Sequence, residues 1–448
     1  ITIDGAVNVN GTAGAVLNAN AGVTLNAAMT TANGQVIIDA DVDNNGAGVF
    51  ESAAAGTIAT GAGAGDVTIT ASDVTIGAGI NAGGGSILLR PSTAVTIGLG
   101  DGSAGTFNID GTEAGRFTAQ ALEIGLATSG NIDVTEFNPT NVTNLVLRTT
   151  GTVTATAVNV APEITVTNLA IDSDDGVDLD VNVTTLAVDN SAAGGVAIDD
   201  TVGGVTIGSV ATSSGTISGV STNGGAITVN AVDAFNVNDV VQNTGAGNVT
   251  LKTTGAGNEA SDLTITANVT AADGNIELEG GDDLFQQSGT IQASNAGTIT
   301  LTVGAGGDAD GRILMSDGTR IVSVTGNITL TNLFDAVGSI IRIAEIDSTS
   351  GNVLVNSGQI AGNSGTIEVV AGQGGIVTGA GTIQLNATIG VTVNDVLTTA
   401  NGTITIDADV DNNAVGSLIS GAYGDVTSGG ANVTVIAADV SLSGDIDA

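Results

Sequence analysis

The chain has 448 residues, among them 68 Gly, 3 Pro and no Trp, His or Cys; 42% are hydrophobic and 12% charged. Average domains carry about 25% charged residues and about 7% Gly. So this is no ordinary globular mixture, it is too apolar for a disordered acidic tail, and it lacks the three-residue Gly period and the proline of collagen. Forty-six acidic residues against seven basic ones give a formal charge of −39 and leave no basic patch for nucleic acid or anionic lipid.

Without Cys there is no disulfide, and no apolar run is long enough to cross a bilayer. The acid excess keeps long particles apart and leaves cations, basic surfaces or neutral glycans as partners. The apolar residues are mostly Val, Ile, Leu and Ala with Thr beside them, a strand-forming set. With 2% aromatic residues, any core must be thin and regular.

The chain opens at Ile1 inside what reads as a strand, with no Met or signal peptide, as expected of an internal piece of a longer protein. One pattern then recurs: Gly or Asn, an alternating run, a small polar turn. It stands at Gly65-Asp66-Val67-Thr68-Ile69-Thr70, Gly130-Asn131-Ile132-Asp133-Val134, Gly247-Asn248-Val249-Thr250-Leu251 and Gly274-Asn275-Ile276-Glu277-Leu278. Gly326-Asn327-Ile328, Gly351-Asn352-Val353 and Ala431-Asn432-Val433 continue it. Apolar residues two apart give a strand with one buried face. The leading Gly or Asn is expected to supply the positive φ of a tight corner. No sustained i, i+3, i+4, i+7 stripe occurs, so little or no helix is expected. Between Asn248 and Asn432 the strands recur at irregular steps of roughly 23 residues, a length typical of stacked repeats.

Propellers need larger units, and sandwiches bury large side chains that this chain lacks. The pattern predicts an all-β fold: a single-stranded parallel β-helix, or β-solenoid, running continuously over 1–448. At about 4.8 Å per rung, roughly twenty rungs would make a rod on the order of 95 Å long. A longer repeat overlies the short one. Leu17–Gly48 returns as Leu385–Gly416, displaced by 368 residues, and Ile38-Asp39-Ala40-Asp41-Val42-Asp43-Asn44-Asn45 returns letter for letter as Ile406 to Asn413. Residues 385–448 thus restart the pattern of 17–80.

The run Ser86-Ile87-Leu88-Leu89-Arg90-Pro91, then Thr96-Ile97-Gly98-Leu99-Gly100, Gly105-Thr106-Phe107, Glu113, Leu122-Glu123-Ile124-Gly125 and Ser129-Gly130-Asn131-Ile132-Asp133-Val134, resembles a module of giant bacterial cell-surface repeat proteins. These are related in style to the filamentous haemagglutinin-type adhesins. The resemblance covers residues 86–150. It implies a right-handed β-helix, secretion to the cell exterior, and a role in adhesion or surface architecture.

For chemistry, the absence of His and Cys removes Ser-His-Asp and Cys-His machinery and the common zinc sites. A polysaccharide lyase or glycosidase on a β-helix is the enzyme rival. A lyase of this shape would need clustered basic residues, but Arg90, Arg116, Arg148, Arg312, Arg320 and Arg342 are spread through the sequence. Acid pairs at glycosidase spacing arise by accident among so many carboxylates, and the aromatic platform for a sugar is missing.

The candidate metal ligands are Asp39, Asp41 and Asp43, and their copies Asp407, Asp409 and Asp411. In a strand the three would share the outer face about 7 Å apart, where a hard cation such as Ca²⁺ would relieve their repulsion. Counted from Asp39, an EF-hand frame fails, since its Gly position is Asn44 and its twelfth position Phe50. The alternative is a solvated acidic face. Weaker calcium candidates are Asp172/Asp174/Asp175/Asp178/Asp180 and Asp308/Asp310, the latter within a segment similar to a Gly/Asp nonapeptide. The T-x-T pairs Thr68/Thr70, Thr165/Thr167, Thr264/Thr266, Thr298/Thr300 and Thr403/Thr405 could bind ice if stacked on a flat face; otherwise Thr simply suits exposed strands. Asn-x-Thr sequons at Asn141, Asn248, Asn268 and Asn327 stand where corners want Asn anyway.

The function expected is a non-enzymatic structural or adhesive scaffold of an extracellular bacterial fibre or surface layer, requiring no cofactor, with Ca²⁺ as the one candidate ion. Its expected partners are further copies of the repeat, and glycans or cell surfaces, but neither nucleic acid nor a membrane interior. The alternative is a glycan- or protein-binding adhesin face, on which the irregular stretches Gly100–Arg116 and Gly304–Arg320 would gather.

Overall fold

The computed structural model describes residues 1–61, 63, 65–155, 162–255, 260–304, 311–333, 338–358 and 364–448. They form two units, 1–202 with 208–220, and 203–207 with 221–448. Both are stacks of parallel strands in which the chain winds so that each coil bonds to the coils before and after it.

The second unit shows the rule most simply, with three short strands per coil and every strand pairing with the third one on. Val249–Thr253, Leu263–Ile265 and Val269–Ala271 make one coil; Ile276–Gly280, Leu284–Gln286 and Thr290–Ala293 make the next. Registers run Val249↔Ile276, Leu263↔Leu284 and Val269↔Ile291, all parallel. The inward residues therefore stack into columns. One column reads Ile227, Val249, Ile276, Ile299, Ile328, Val353, Ile383, Ile404, each at most 1% exposed. In the first unit the corresponding column is Val36, Val67, Ile87, Leu122, Leu145, Leu169 and Leu186, all 0% exposed. Each such side chain contributes about 1.5–3 kcal/mol by leaving water. Coil length varies from 21 residues (Ile383 to Ile404) to 30 (Val353 to Ile383) in the second unit, and from 17 (Leu169 to Leu186) to 35 (Ile87 to Leu122) in the first, because only strands and corners are constrained.

The recurring Gly-Asn corner has a different cause from the expected one. Gly247, Gly274, Gly297, Gly326, Gly351, Gly381 and Gly402 do not have positive φ. They lie one above another, and a Cβ on each would fall less than 3.0 Å from the carbonyl oxygen of the corner glycine one coil earlier. Close approach, not φ, selects glycine there. The neighbouring Asn closes the same joint from outside: Asn248 Oδ1 accepts the Asn275 N–H at 2.9 Å, Asn327 that of Asn352 at 2.9 Å, and Asn352 that of Thr382 at 2.9 Å. Inside, a column of small polar residues satisfies the corner carbonyls. Asn243 donates to Gly225 and Gly247 (both 2.7 Å), Ser323 to Gly297 and Gly326 (3.0 and 2.9 Å), and Thr399 to Gly402 (2.6 Å).

Two local departures stand out. Gly111–Ala114 is a single helical turn, the one helix among the described residues, closed by a capping box between Asp110 and Glu113. Ser209–Thr212 and Gly215–Ser218 form an antiparallel hairpin. It covers an outward-facing row, Val146, Ala170 and Ala187, with its own Val210 and Ile217. The row would otherwise be exposed apolar surface. Replacing Val210 by Asp should destabilise the first unit by about 2 kcal/mol, since a buried charge replaces an apolar contact. It should also raise proteolysis between 208 and 220. Unchanged urea unfolding and proteolysis would show that the hairpin covers nothing of consequence.

Candidate functional site

The acidic turn after strand Val36–Asp39 and its copy after Ile404–Asp407 are the most specific polar structures that the chain repeats. The expected arrangement, three carboxylates on one outer strand face, is not what forms. The strand stops at Asp39, Asp41 turns inward to 0% exposure, and Asp43 projects into solvent. The copy behaves alike, with Asp409 buried and Asp407 half-buried. The turn is built by side-chain hydrogen bonds onto the backbone. Asp41 Oδ2 accepts the Gly46 N–H at 2.9 Å and the Ser92 hydroxyl at 2.6 Å. Asn45 donates to Asp43 at 2.9 Å and accepts from Ala47 N–H at 2.9 Å. Asn44 takes φ 51° and Gly46 φ 78°. In the copy Asn413 donates to Asp411 at 2.7 Å and accepts from Val415 at 2.9 Å, with Asn412 at φ 53°. Ala414 replaces Gly46 and is held at φ 64°. The 368-residue repeat therefore carries one turn conformation along with its letters.

Burial pushes the Asp41 carboxyl up, but the bonds from Ser92 and Gly46, the nearby Asp43 side chain and Gly48 outweigh it and hold the group below the ordinary value.

The other sequence candidates are dispersed. Asp172 is held by Arg148 at 2.5 Å, Asp174 accepts the Ser191 hydroxyl, and Asp178 and Asp180 stand beside Ala197 and Asp199 along a strand. Asp308 and Asp310 lie outside the described residues. The structure instead brings together a trio not anticipated, Asp262, Asp282 and Asp283, with carboxylate oxygens within 4.8 Å of one another. Leu263 and Leu284 are register partners, so the preceding acids meet; aligning the coils would have found this. Arg312 closes over the trio, bonding Asp283 through Nε at 2.8 Å and Nη2 at 2.5 Å.

Lys252, Arg320 and Arg342 are used in the same way, as rivets between coils. Lys252 meets Glu277 at 2.8 Å and Glu279 at 3.2 Å, Arg320 meets Glu345 at 2.9 Å and Asp347 at 3.3 Å, and Arg342 meets Asp317 at 2.8 Å. Register keeps the threonine rows to two coils at most: Thr300 stacks on Thr329 but has Glu277 on its other side. Thr68 and Thr70 stack on Ile37 and Asp39 below and on Leu88 and Arg90 above, Thr264 lies between Asn236 and Phe285, and Thr405 lies between Gln384 and Thr434. The stretches Gly100–Arg116 and Gly304–Arg320 belong to different units, and residues 305–310 of the second lie outside the described residues.

One concavity has an aromatic wall. Tyr423, the single tyrosine, is 72% exposed and borders a hollow of about 380 Å³ with Ala371, Gly372, Asp395, Val396 and Asp425. Burial raises the Asp395 carboxyl, but the N–H groups of Gly374, Val396, Gln373 and Gly372 overcome this and hold it below the ordinary value.

Elsewhere burial wins. Glu113, Glu163, Asp172 and Asp180 are each held above their ordinary values chiefly by desolvation. A raised folded value means that the associated stability is fully present below the unfolded value and is lost as pH rises through the folded one. All four lie in the first unit. Its unfolding midpoint should therefore rise as pH is lowered from 8 toward the ordinary values of 4.5 for Glu and 3.8 for Asp. Asp41 in the first unit and Asp395 in the second act oppositely: their stabilisation is lost only as pH falls through their depressed values, below the ordinary 3.8. Thermal melts between pH 8 and pH 4 check this, and a first-unit midpoint that only falls on acidification contradicts it.

Comparison with protein-family models, with curated proteins and with solved structures returns no match.

Proposed function

We propose that this chain is a structural and adhesive scaffold of an extracellular bacterial fibre or surface layer, in the manner of the filamentous haemagglutinin-type repeat proteins, and that it performs no catalysis. The observation that carries the reading is the way each coil spends its polar groups on the next. Main-chain ladders, the Asn column, the inner Ser/Thr column and the Arg and Lys rivets all run from coil to coil. Such a design gains length by adding coils, since the same joint recurs whatever the coil's own length. The −39 charge keeps neighbouring particles from aggregating through exposed apolar edges. Its partners are other copies of the repeat and the cell or matrix surface.

The test is antibody labelling of intact cells that produce the protein. Label on the outside, removed by brief external proteolysis, supports the reading; label seen only after permeabilisation overturns it.

A second reading, a glycan-binding face, is favoured by the hollow at Tyr423. An exposed ring can stack on a sugar while Asp425 accepts its hydroxyls. Binding to a panel of neutral glycans should then fall about tenfold or more in Tyr423→Ala, a loss of about 1.4 kcal/mol. Equal binding by both proteins removes this reading.

A further inference from the structure

We infer that the loop Asp41–Ala47 is a calcium site whose ligands are Asp41, Asp43, Asn45 and the main-chain carbonyl of Ala47. This differs from the strand-face arrangement of Asp39, Asp41 and Asp43, and it does not depend on the scaffold reading.

Counted from Asp41, the sequence Asp41-Val42-Asp43-Asn44-Asn45-Gly46 places oxygen side chains at positions 1, 3 and 5 and glycine at 6, the opening of a hard-cation loop. The frame starts two residues later than the alternating acids suggest, and the structure sets it: the Asp41 carboxylate accepts the N–H of Gly46 across the loop.

A second observation points to a ligand. Asp41 is 0% exposed, and its Oδ1 is enclosed with no hydrogen-bond partner. The Asp43 side chain and the Gly48 N–H stand close to the same carboxylate, whose Oδ2 carries the bonds from Gly46 and Ser92. A cation between the two carboxylates would relieve their repulsion and give the buried oxygen a partner. The loop's oxygen donors suit a hard ion. Position 12 is Ser52 in place of the bidentate Glu of high-affinity loops, so binding should fall in the range of extracellular modules, about 10⁻⁴–10⁻³ M. In the copy, both oxygens of Asp409 are already taken by the N–H groups of Asn413 and Ala414, at 3.1 and 3.2 Å, so the inference is confined to the first loop.

The experiment is equilibrium dialysis of the whole chain against radioactive calcium at near-physiological salt, with excess magnesium as competitor. The chain should bind calcium saturably at one site that magnesium does not empty. Asp43→Ala, a change at an exposed position, should weaken that site about tenfold or more, whereas Asp411→Ala should leave it intact. Calcium should also raise the thermal midpoint of the unaltered chain but not of Asp43→Ala, which separates loss of the ion from loss of the fold. The inference is overturned by the absence of saturable binding up to about 10 mM, well above the range for extracellular modules. It is equally overturned if binding survives Asp43→Ala or is lost in Asp411→Ala.

Discussion

Replacing Gly326 by alanine is expected to unfold the second unit or leave the chain insoluble. The new methyl group would lie less than 3.0 Å from the carbonyl oxygen of Gly297, and the same joint recurs one coil on, where a Cβ on Gly351 would meet the Gly326 carbonyl as closely. Neither obstacle can rotate away. Ser323 donates to both the Gly297 and Gly326 oxygens, and strands follow immediately at Ile299–Val303 and Ile328–Asn332. Over-packing a side chain costs about 1–3 kcal/mol; a main-chain clash between two fixed ladders should exceed that range. Gly318→Ala is the contrasting case. That glycine has φ +82° but open space around it, so only left-handed strain, about 1–2 kcal/mol, is expected. Urea unfolding followed by circular dichroism distinguishes the two. If both variants lose the same stability, φ and not coil-to-coil contact governs the corners.

The second large effect is expected at Arg312. Asp283 is 1% exposed, and its carboxylate takes the Arg312 backbone N–H at 2.7 Å together with the guanidinium. Arg312→Met keeps the apolar stem but removes the cation that faces Asp262, Asp282 and Asp283. Breaking a buried pair by deleting one partner costs about 3–5 kcal/mol. Here about 3 kcal/mol is appropriate, because the guanidinium is 40% exposed and water screens it. The loss should shrink on acidification. Burial first, and the Asp283 charge second, hold the Asp262 carboxyl above its ordinary value even with Arg312 present. Removing the cation raises it further, and the stability linked to the protonated form returns as pH falls below the folded value. A loss that is the same at pH 8 and pH 5 would show that Arg312 acts through packing alone.

The strand pattern was legible because its period is enforced by burial. Residues such as Val249, Leu251, Ile276 and Leu278 alternate with polar ones and are the buried members of their strands. The Gly-Asn corners were legible as corners but not in their cause, since contact with the preceding coil leaves no mark within a single coil. The hairpin Ser209–Ser218 was missed for a related reason. Leu145-Val146-Leu147 and Leu169-Ala170-Ile171 are apolar on both faces, a sign of two-sided burial, but nothing in those letters says what covers the outer face. At the acidic turn the alternating letters suggested a continuing strand through Asp43. The chain leaves the strand at Asp39 because Asp41 bonds forward to Gly46 and outward to Ser92, 51 residues on. Such a partner belongs to coil stacking and has no local signature. The same is true of Asp262, Asp282 and Asp283, which only register brings together.

The scaffold account rests most directly on the assembled state. Cryo-electron microscopy of the native assembly should resolve layers about 4.8 Å apart stacked along its long axis, the spacing of hydrogen-bonded strands. Separate particles, or an assembly whose strands run along its length with no such axial spacing, would contradict it.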